Sequence, residues 1–493
     1  MRGTIDLRSL FFVLLLTCNV VYVQSQINIR NDTVLAKPST DSLLTLPKHP
    51  FRAGATIFST NVGVWAFDRY VTKGEFAKIS LNSIRNNLKT GFVWDNDMFA
   101  TNLFAHPYHG GLYYNAARSN GMSFWQSIPY AAGGSLMWEI AMENEPPAIN
   151  DFMATTIGGT CLGEMTFRIS DLLINDKSVG FERFGREFLL TLISPIRGIN
   201  RILSGDSKRV RNIRGNTIPK PPTVFYLSFG HRIIADNLKH ANDIINSGCF
   251  DAALYYGNSF SEDNEKPYDS FMFKVGGNFL SSQPVINRVN ALGLIYSVDL
   301  PTKWLRNRFI FGIFQHFNYY ESNSVIDKVS LKPYKISEAA SVGPGILYKR
   351  NLTKHIGLYA SLHMSAILLG GSQTDHYQYD KRDYNMGSGF STKFSCDLRF
   401  GSKAHLFFVS EDYRIYSWVG NQTADPTVIN SNSQGDIGNA SLTVVRVGFN
   451  YIIKKHFLIS SETSYNYRLS HYKYYPTVEH HVEENKISLG YIF

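Results

Sequence analysis

The chain has 493 residues, enough for two or three domains of ordinary size, and is 44% hydrophobic, 14% aromatic and only 18% charged. Its 34 Phe and 28 Tyr, set against so modest a charge count, suit a sheet-rich protein with interfacial aromatic girdles better than a soluble enzyme. The net charge of +9 is scattered, with no basic run interleaved with aromatics, which excludes a nucleic-acid footprint.

At the N-terminus, Arg2 and Arg8 flank a short n-region, Leu10 to Leu16 form an apolar core, and Val23-Gln24-Ser25 precede a cut at Gln26. This predicts a secretory signal peptide over residues 1–25, too short to remain as an anchor. Cys18 raises a lipoprotein reading, but Thr17 stands where a small Gly or Ala is required. After cleavage Cys161, Cys249 and Cys396 remain, odd in number and far apart, with no disulfide framework or metal-type spacing. No run of 18 or more apolar residues follows, so transmembrane helices are not expected.

Residues 26–73 read as an extended lead, in which 54–72 could form a strand pair or sheet edge. Residues 74–215 read as a mainly helical domain. Phe76, Ile79 and Ser83 fall on one stripe; Phe188, Leu192, Ile196 and Ile199 fall on another, with Pro195 as a kink. This block is too polar to span lipid, so it is expected to lie in the periplasm or to plug a lumen.

The same block holds the residues that carry chemistry. His106-Pro107-Tyr108-His109-Gly110-Gly111 is followed by Ser135, Trp138-Glu139, Glu143, Glu145, Asn150-Asp151, Gly163-Glu164 and Arg168. A pair of histidines three apart with downstream carboxylates can ligate a metal or do acid–base work, and the second makes His106, His109 and Glu139 the catalytic candidates. The same groups serve equally as a buried hydrogen-bond network between small-residue helices. Glu164 and Arg168 have the spacing of a plain helix ion pair, and Glu139 and Glu143 share a face, as on a solvated helix. No Gly-x-Ser-x-Gly elbow occurs, no cofactor motif is present and no metal is assigned.

Trp94-Asp95, Asn102, His106-Pro107, Gly110, Tyr114, Ala117-Arg118, Gly121, Ser135, Trp138-Glu139, Gly163-Glu164, Gly185-Arg186-Glu187 and Pro195 follow one another in an order that resembles an uncharacterised family of Gram-negative envelope proteins, domain of unknown function number 3943. The resemblance covers roughly residues 70–215. It implies an envelope location and a barrel architecture, and no reaction. Arg186 and Glu187 are read as a local pair without a catalytic role.

From about Val224 the chain breaks into segments of alternating polarity. Ile356, Leu358, Ala360, Leu362, Met364, Ala366 and Leu368 alternate with His355, Gly357, Tyr359, Ser361, His363, Ser365 and Ile367. Twelve such segments run over 222–236, 249–258, 270–281, 285–300, 307–320, 334–349, 353–368, 386–400, 403–417, 439–453, 456–470 and 482–493. From the fifth onward, long polar connections alternate with tight ones. A soluble sandwich alternates too. Long strands, an even count and an end at Tyr491 and Phe493 favour a membrane barrel over it.

The expected fold is therefore α+β: an antiparallel transmembrane β-barrel of about 12 strands over 216–493, preceded by a helical periplasmic or plug domain. The expected function is an outer-membrane barrel acting as a channel, a carrier or an envelope-assembly component, with a lipid-acting hydrolase using the His/Glu cluster as the alternative. Outer-membrane lipid and the barrel-assembly machinery are the expected partners.

Overall fold

The computed structural model describes residues 47–94, 97–210, 220–236, 244–301, 307–323, 332–376, 382–420 and 435–493. The expected signal peptide and the lead as far as residue 46 lie outside these residues. The chain divides into two compact units, one of residues 1–95 and 105–220, the other of Asn96–Phe104 and Pro221–Phe493.

The first unit is helical. Helix α1, Pro50–Phe67, runs on into a π-helical turn, Asp68–Thr72, where a strand pair was expected. The alternation of small and apolar residues there is compatible with either period. Pro50 at the first helical position and burial of Ala53, Ile57 and Asn61 one turn apart resolve it as a helix. Helix α2 is Leu81–Thr90, beginning after Phe76 and Ile79, because Ser80 and Ser83 cap each other's backbone and set the start. A second π turn, Thr101–Ala105, leads into α3, His106–Arg118. Helix α4, Phe124–Ala141, starts at the capping box of Ser123 and Gln126. The short α5, Ile149–Met153, leads through a π turn into α6, Gly159–Leu173. Pro195 separates α7, Gly180–Ile193, from α8, Pro195–Leu203, rather than kinking one continuous helix.

Helices α3 and α6 cross at glycine. The Cβ of an alanine at Gly110 would lie 1.7 Å from the Thr155 carbonyl oxygen, and one at Gly159 would lie 2.6 Å from the Gly110 backbone. Only a hydrogen at these positions allows so close an approach. Behind the crossing, Glu164 is fully buried and accepts from Arg118 Nε (2.8 Å), Arg168 Nε (2.7 Å) and Tyr114 Oη (3.0 Å). The expected Glu164–Arg168 pair is thus one arm of a larger cluster. Arg186 pairs with Glu182 (2.8 Å) and Glu187 with Arg201 (2.7 Å), not with each other. No described helix is long and apolar enough to cross a membrane.

The second unit is a closed antiparallel barrel of twelve strands, each paired with its neighbours in sequence and β1 paired with β12. The strands are β1 Thr223–Asp236, β2 Ile244–Tyr256, β3 Phe271–Phe279, β4 Ile286–Leu300, β5 Asn307–Glu321, β6 Lys335–Asn351, β7 Ile356–Gln373, β8 Tyr384–Phe400, β9 Ala404–Ser417, β10 Gly438–Ile452, β11 Phe457–Tyr472 and β12 Val478–Ile492. The expected number and order hold. Several strands run further than expected at the end with the long connections, β7 by five residues and β12 by four, because polar residues continue the ladder there. At the other end the β6–β7, β8–β9 and β10–β11 turns are tight, while 257–270 joins β2 to β3 by a longer path. Gly401, at φ +57°, supplies the left-handed residue that the three-residue β8–β9 connection needs. Phe493 completes closure: its N–H donates to the Phe225 carbonyl (2.9 Å) and the two rings pack at 5.1 Å.

The two faces of the wall are inverted relative to a soluble barrel. On β7, Leu362, Met364 and Leu368 are exposed, whereas the intervening His363, Ser365 and Ile367 are buried. The same holds for Phe390 and Phe394 on β8, Val447 and Phe449 on β10, and Ile487 and Leu489 on β12. The segment Asn96–Phe104 belongs to this unit. Phe99 packs on Tyr319 and Tyr384 (both 5.2 Å), Phe104 on Tyr319 (5.8 Å), and Asn102 Nδ2 donates to Tyr384 Oη (2.8 Å). Tyr319 lies between Asn318 and Tyr320, which point inward, so the segment clasps the outside of the wall at the end with the long connections.

Candidate functional site

Two constellations of buried polar groups stand out, one in each unit. The first lies among α3, α4 and α5. His106 is the first residue of α3, preorganised by Pro107 behind it. Glu139 sits near the end of α4, and Asn87 Nδ2 holds that end by donating to the carbonyls of Glu139 (3.3 Å), Ile140 (3.3 Å) and Glu143 (3.1 Å). Asp151 is in the first turn of α5, whose entry is fixed by backbone bonds from Val93 N to Pro147 O (2.8 Å) and from Ile149 N to Val93 O (3.0 Å). The Glu139 carboxylate accepts the Ala148 N–H (2.8 Å), so it also ties α4 to the start of α5.

The outcome is that one ligand-type atom from each of His106, Glu139 and Asp151 lies within 4.8 Å of the other two. His106 Nε2 is 3.6 Å from Asp151 Oδ1, and Asn150 Nδ2 donates to that same oxygen (2.7 Å). Glu139 is 2% exposed and Asp151 5%, so the face expected to be solvated at Glu139 is interior. The Glu139 charge is felt by Tyr113, whose hydroxyl is pushed well above the ordinary tyrosine range, first by burial and then by that carboxylate.

His109 stands apart from the three. One turn beyond His106 on α3, its ring packs against Tyr113 (4.6 Å) and edge-on to Trp138 (5.2 Å). Its ring is half-buried, and its buried Nε2 has no hydrogen-bond partner. Burial, followed by the neighbouring His106, pulls its pKa down to about 3, so the ring is neutral. Of the expected trio, His106 and Glu139 come together and His109 flanks them. Asp151, part of the same run of polar residues but not one of the catalytic candidates, completes the group in its place. Its only sequence signal was an Asn-Asp pair ahead of a run of small residues.

The second constellation fills the barrel lumen. Arg446 on β10 donates to Glu411 (2.7 Å) and, five strands away around the ring, to Tyr320 Oη on β5 (3.0 Å). Arg288 on β4 reaches Asp251 on β2 (2.7 Å) and Glu462 on β11 (3.5 Å), and Lys486 on β12 bonds to the same two carboxylates (2.6 and 3.1 Å). Arg232 pairs with Glu484 (2.5 Å), and Lys393 with Glu338 (2.6 Å). Glu338, Arg232, Asn290, Asn318, Glu411 and Arg446 are all buried, which residues lining a water-filled channel would not be. A cavity of about 30 Å³ remains between Arg232, Asp251, Arg288, Glu462, Glu484 and Lys486. That is room for one or two waters.

These geometries frame the comparisons with known proteins. Residues 91–196 match DUF3943, a domain of unknown function. The match takes in α3 to α7, the first two residues of α8 and the His106, Glu139 and Asp151 group, and is narrower than the stretch over which the sequence resemblance runs. No curated protein matches the chain. Solved structures with similarity to it include the NanC porin (10% identity, 53% of this chain and 98% of that one, TM-score 0.27). A loop-deletion form of OmpT, an outer membrane protein of Vibrio cholerae, shares 8% identity over 55% of this chain and 99% of its own, with a TM-score of 0.24. Omp33 of Acinetobacter baumannii shares 10% over 55% and 97%, with a TM-score of 0.23. Overlap at that level adds nothing to the barrel assignment, which stands on the pairing register around this chain's own sheet.

Proposed function

We propose that this chain is exported by its signal peptide and spans the outer membrane of a Gram-negative bacterium as a barrel with a closed lumen. Its role is then that of an envelope-assembly component that holds the helical unit at that membrane, rather than that of a diffusion channel or carrier. One observation carries the reading: charged and amide side chains are buried inside the wall while Leu, Met, Phe and Ile are exposed outside it. Apolar surface outside is stable against lipid and costly against water, at about 25 cal/mol per Å². Aromatic contacts at the short-turn end, among Phe225, Tyr491, Phe493 and Phe457, fit an interfacial girdle. Outer-membrane lipid and the barrel-assembly machinery are the partners this reading requires.

Planar-bilayer recording tests it. The full-length protein, shown to be folded by heat-modifiable gel mobility, should give no stepwise conductance. The double variant Glu411→Ala/Arg446→Ala, which removes a bridge across the lumen, should open measurable steps. Stable steps from the unaltered protein would overturn the closed-lumen reading.

A further inference from the structure

We propose that His106, Glu139 and Asp151 form a binding site for one divalent transition-metal ion of the zinc or manganese class. One imidazole nitrogen and two carboxylates suit such an ion, and no thiolate or ring of backbone carbonyls is needed. The geometry is close to ready. Donors about 2.1 Å from a tetrahedral metal are separated by roughly 3.4 Å. His106 Nε2 and Asp151 Oδ1 are at 3.6 Å, and all three donor atoms fall within 4.8 Å, so a shift of under an ångström or so per side chain closes the set. The three come from α3, α4 and α5, so the site exists only in the folded unit and is held by it. Helix α3 is locked at the glycine crossing, α4 by Asn87, and the entry to α5 by Val93.

Three further features point to a ligand. Two carboxylates and one imidazole converge in a largely buried place, a donor set that suits a divalent cation. The Asn150 amide donates to Asp151 and the Ala148 N–H to Glu139, which are the outer hydrogen bonds that orient metal-binding carboxylates. Independently of these, two buried polar atoms on the same helix faces have no hydrogen-bond partner: His109 Nε2, one turn beyond His106, and Ser135 Oγ, one turn before Glu139. A buried ring nitrogen and a buried hydroxyl without partners are rare in a settled core.

The test uses the full-length protein in detergent, stripped with a chelator, dialysed, and titrated with Zn²⁺ and separately with Mn²⁺. One equivalent should bind, measured by competition with a chromogenic chelator and by elemental analysis after gel filtration. Asp151→Asn, which keeps size and hydrogen bonding, and His106→Gln should each weaken binding tenfold or more, with the far-ultraviolet circular dichroism unchanged. Lys220→Gln, away from the site, should bind as the unaltered protein does. Co²⁺ loading of the unaltered protein should give visible d–d bands of a four- or five-coordinate ion, a readout that stands even if the variants fail to fold. No uptake of either ion by the unaltered protein, or unchanged affinity in folded Asp151→Asn and His106→Gln, would overturn the proposal.

Discussion

Gly110→Ala should unfold the packing of α3 against α6 at a cost of about 3 kcal/mol or more, at the upper end of what overpacking causes. The added methyl would meet the Thr155 carbonyl oxygen at 1.7 Å and the Gly159 Cα at 3.0 Å. Both are backbone, so no rotamer change relieves the clash and the helices must separate. Alanine's helical preference over glycine, about 1 kcal/mol, works in the opposite direction and is too small to compensate. Gly111→Ala is the internal control, since its nearest neighbour would be Gly163 N at 3.4 Å. It should be neutral or slightly stabilising. Native-state hydrogen exchange of peptides from α3 and α6 reads both. Equal protection in Gly110→Ala and the unaltered protein would refute the close-crossing account.

Glu164→Ala should cost about 3–5 kcal/mol, the range for stranding buried charge. It removes the acceptor shared by Arg118 and Arg168, which are only 17% and 13% exposed, and by Tyr114. Arg118 keeps the Met122 carbonyl (2.7 Å) and the face of Phe167 (4.5 Å), but neither neutralises it. If unpaired charge is the cause, the triple variant Glu164→Leu/Arg118→Leu/Arg168→Leu should recover much of the loss, because an apolar replacement of a whole buried cluster is often tolerated. Thermal unfolding followed by tryptophan fluorescence separates the outcomes. A triple variant no more stable than Glu164→Ala would indicate that packing, not charge, sets the cost.

The barrel was legible because its strands alternate over ten residues or more with tight turns between them. What alternation could not say is which face meets water. Arg446 and Glu411 look the same in sequence whether they line a lumen or a solvated sheet, and only their burial separates the two. The helical unit was less readable. Residues 54–67 are rich in Gly, Ala, Thr and Val, whose small and branched side chains leave the period ambiguous. The candidate site was half visible. The residue types of His106 and Glu139 announce their chemistry, but Asp151 enters through the Val93–Ala148 bridge, a contact that carries no local signal. The clasp of Phe99 on Tyr319 and Tyr384 joins residues more than two hundred positions apart, beyond the reach of any periodic pattern.

The charges packed into the lumen also bear on how the sheet can close. Glu484 and Lys486 on β12 meet Arg232 on β1, Asp251 on β2 and Glu462 on β11 in one register, with Arg232 opposite Lys486 across the seam. A slip of one residue at the seam turns every side chain of the strand to the other face. Glu484 and Lys486 would then point into hydrocarbon, at about 2–4 kcal/mol for a lysine near the bilayer midplane, while Ile487 and Leu489 would crowd the interior. The lumen network thus acts as a lock with a single key position: the last strand either seats with all its charges matched or cannot stay seated.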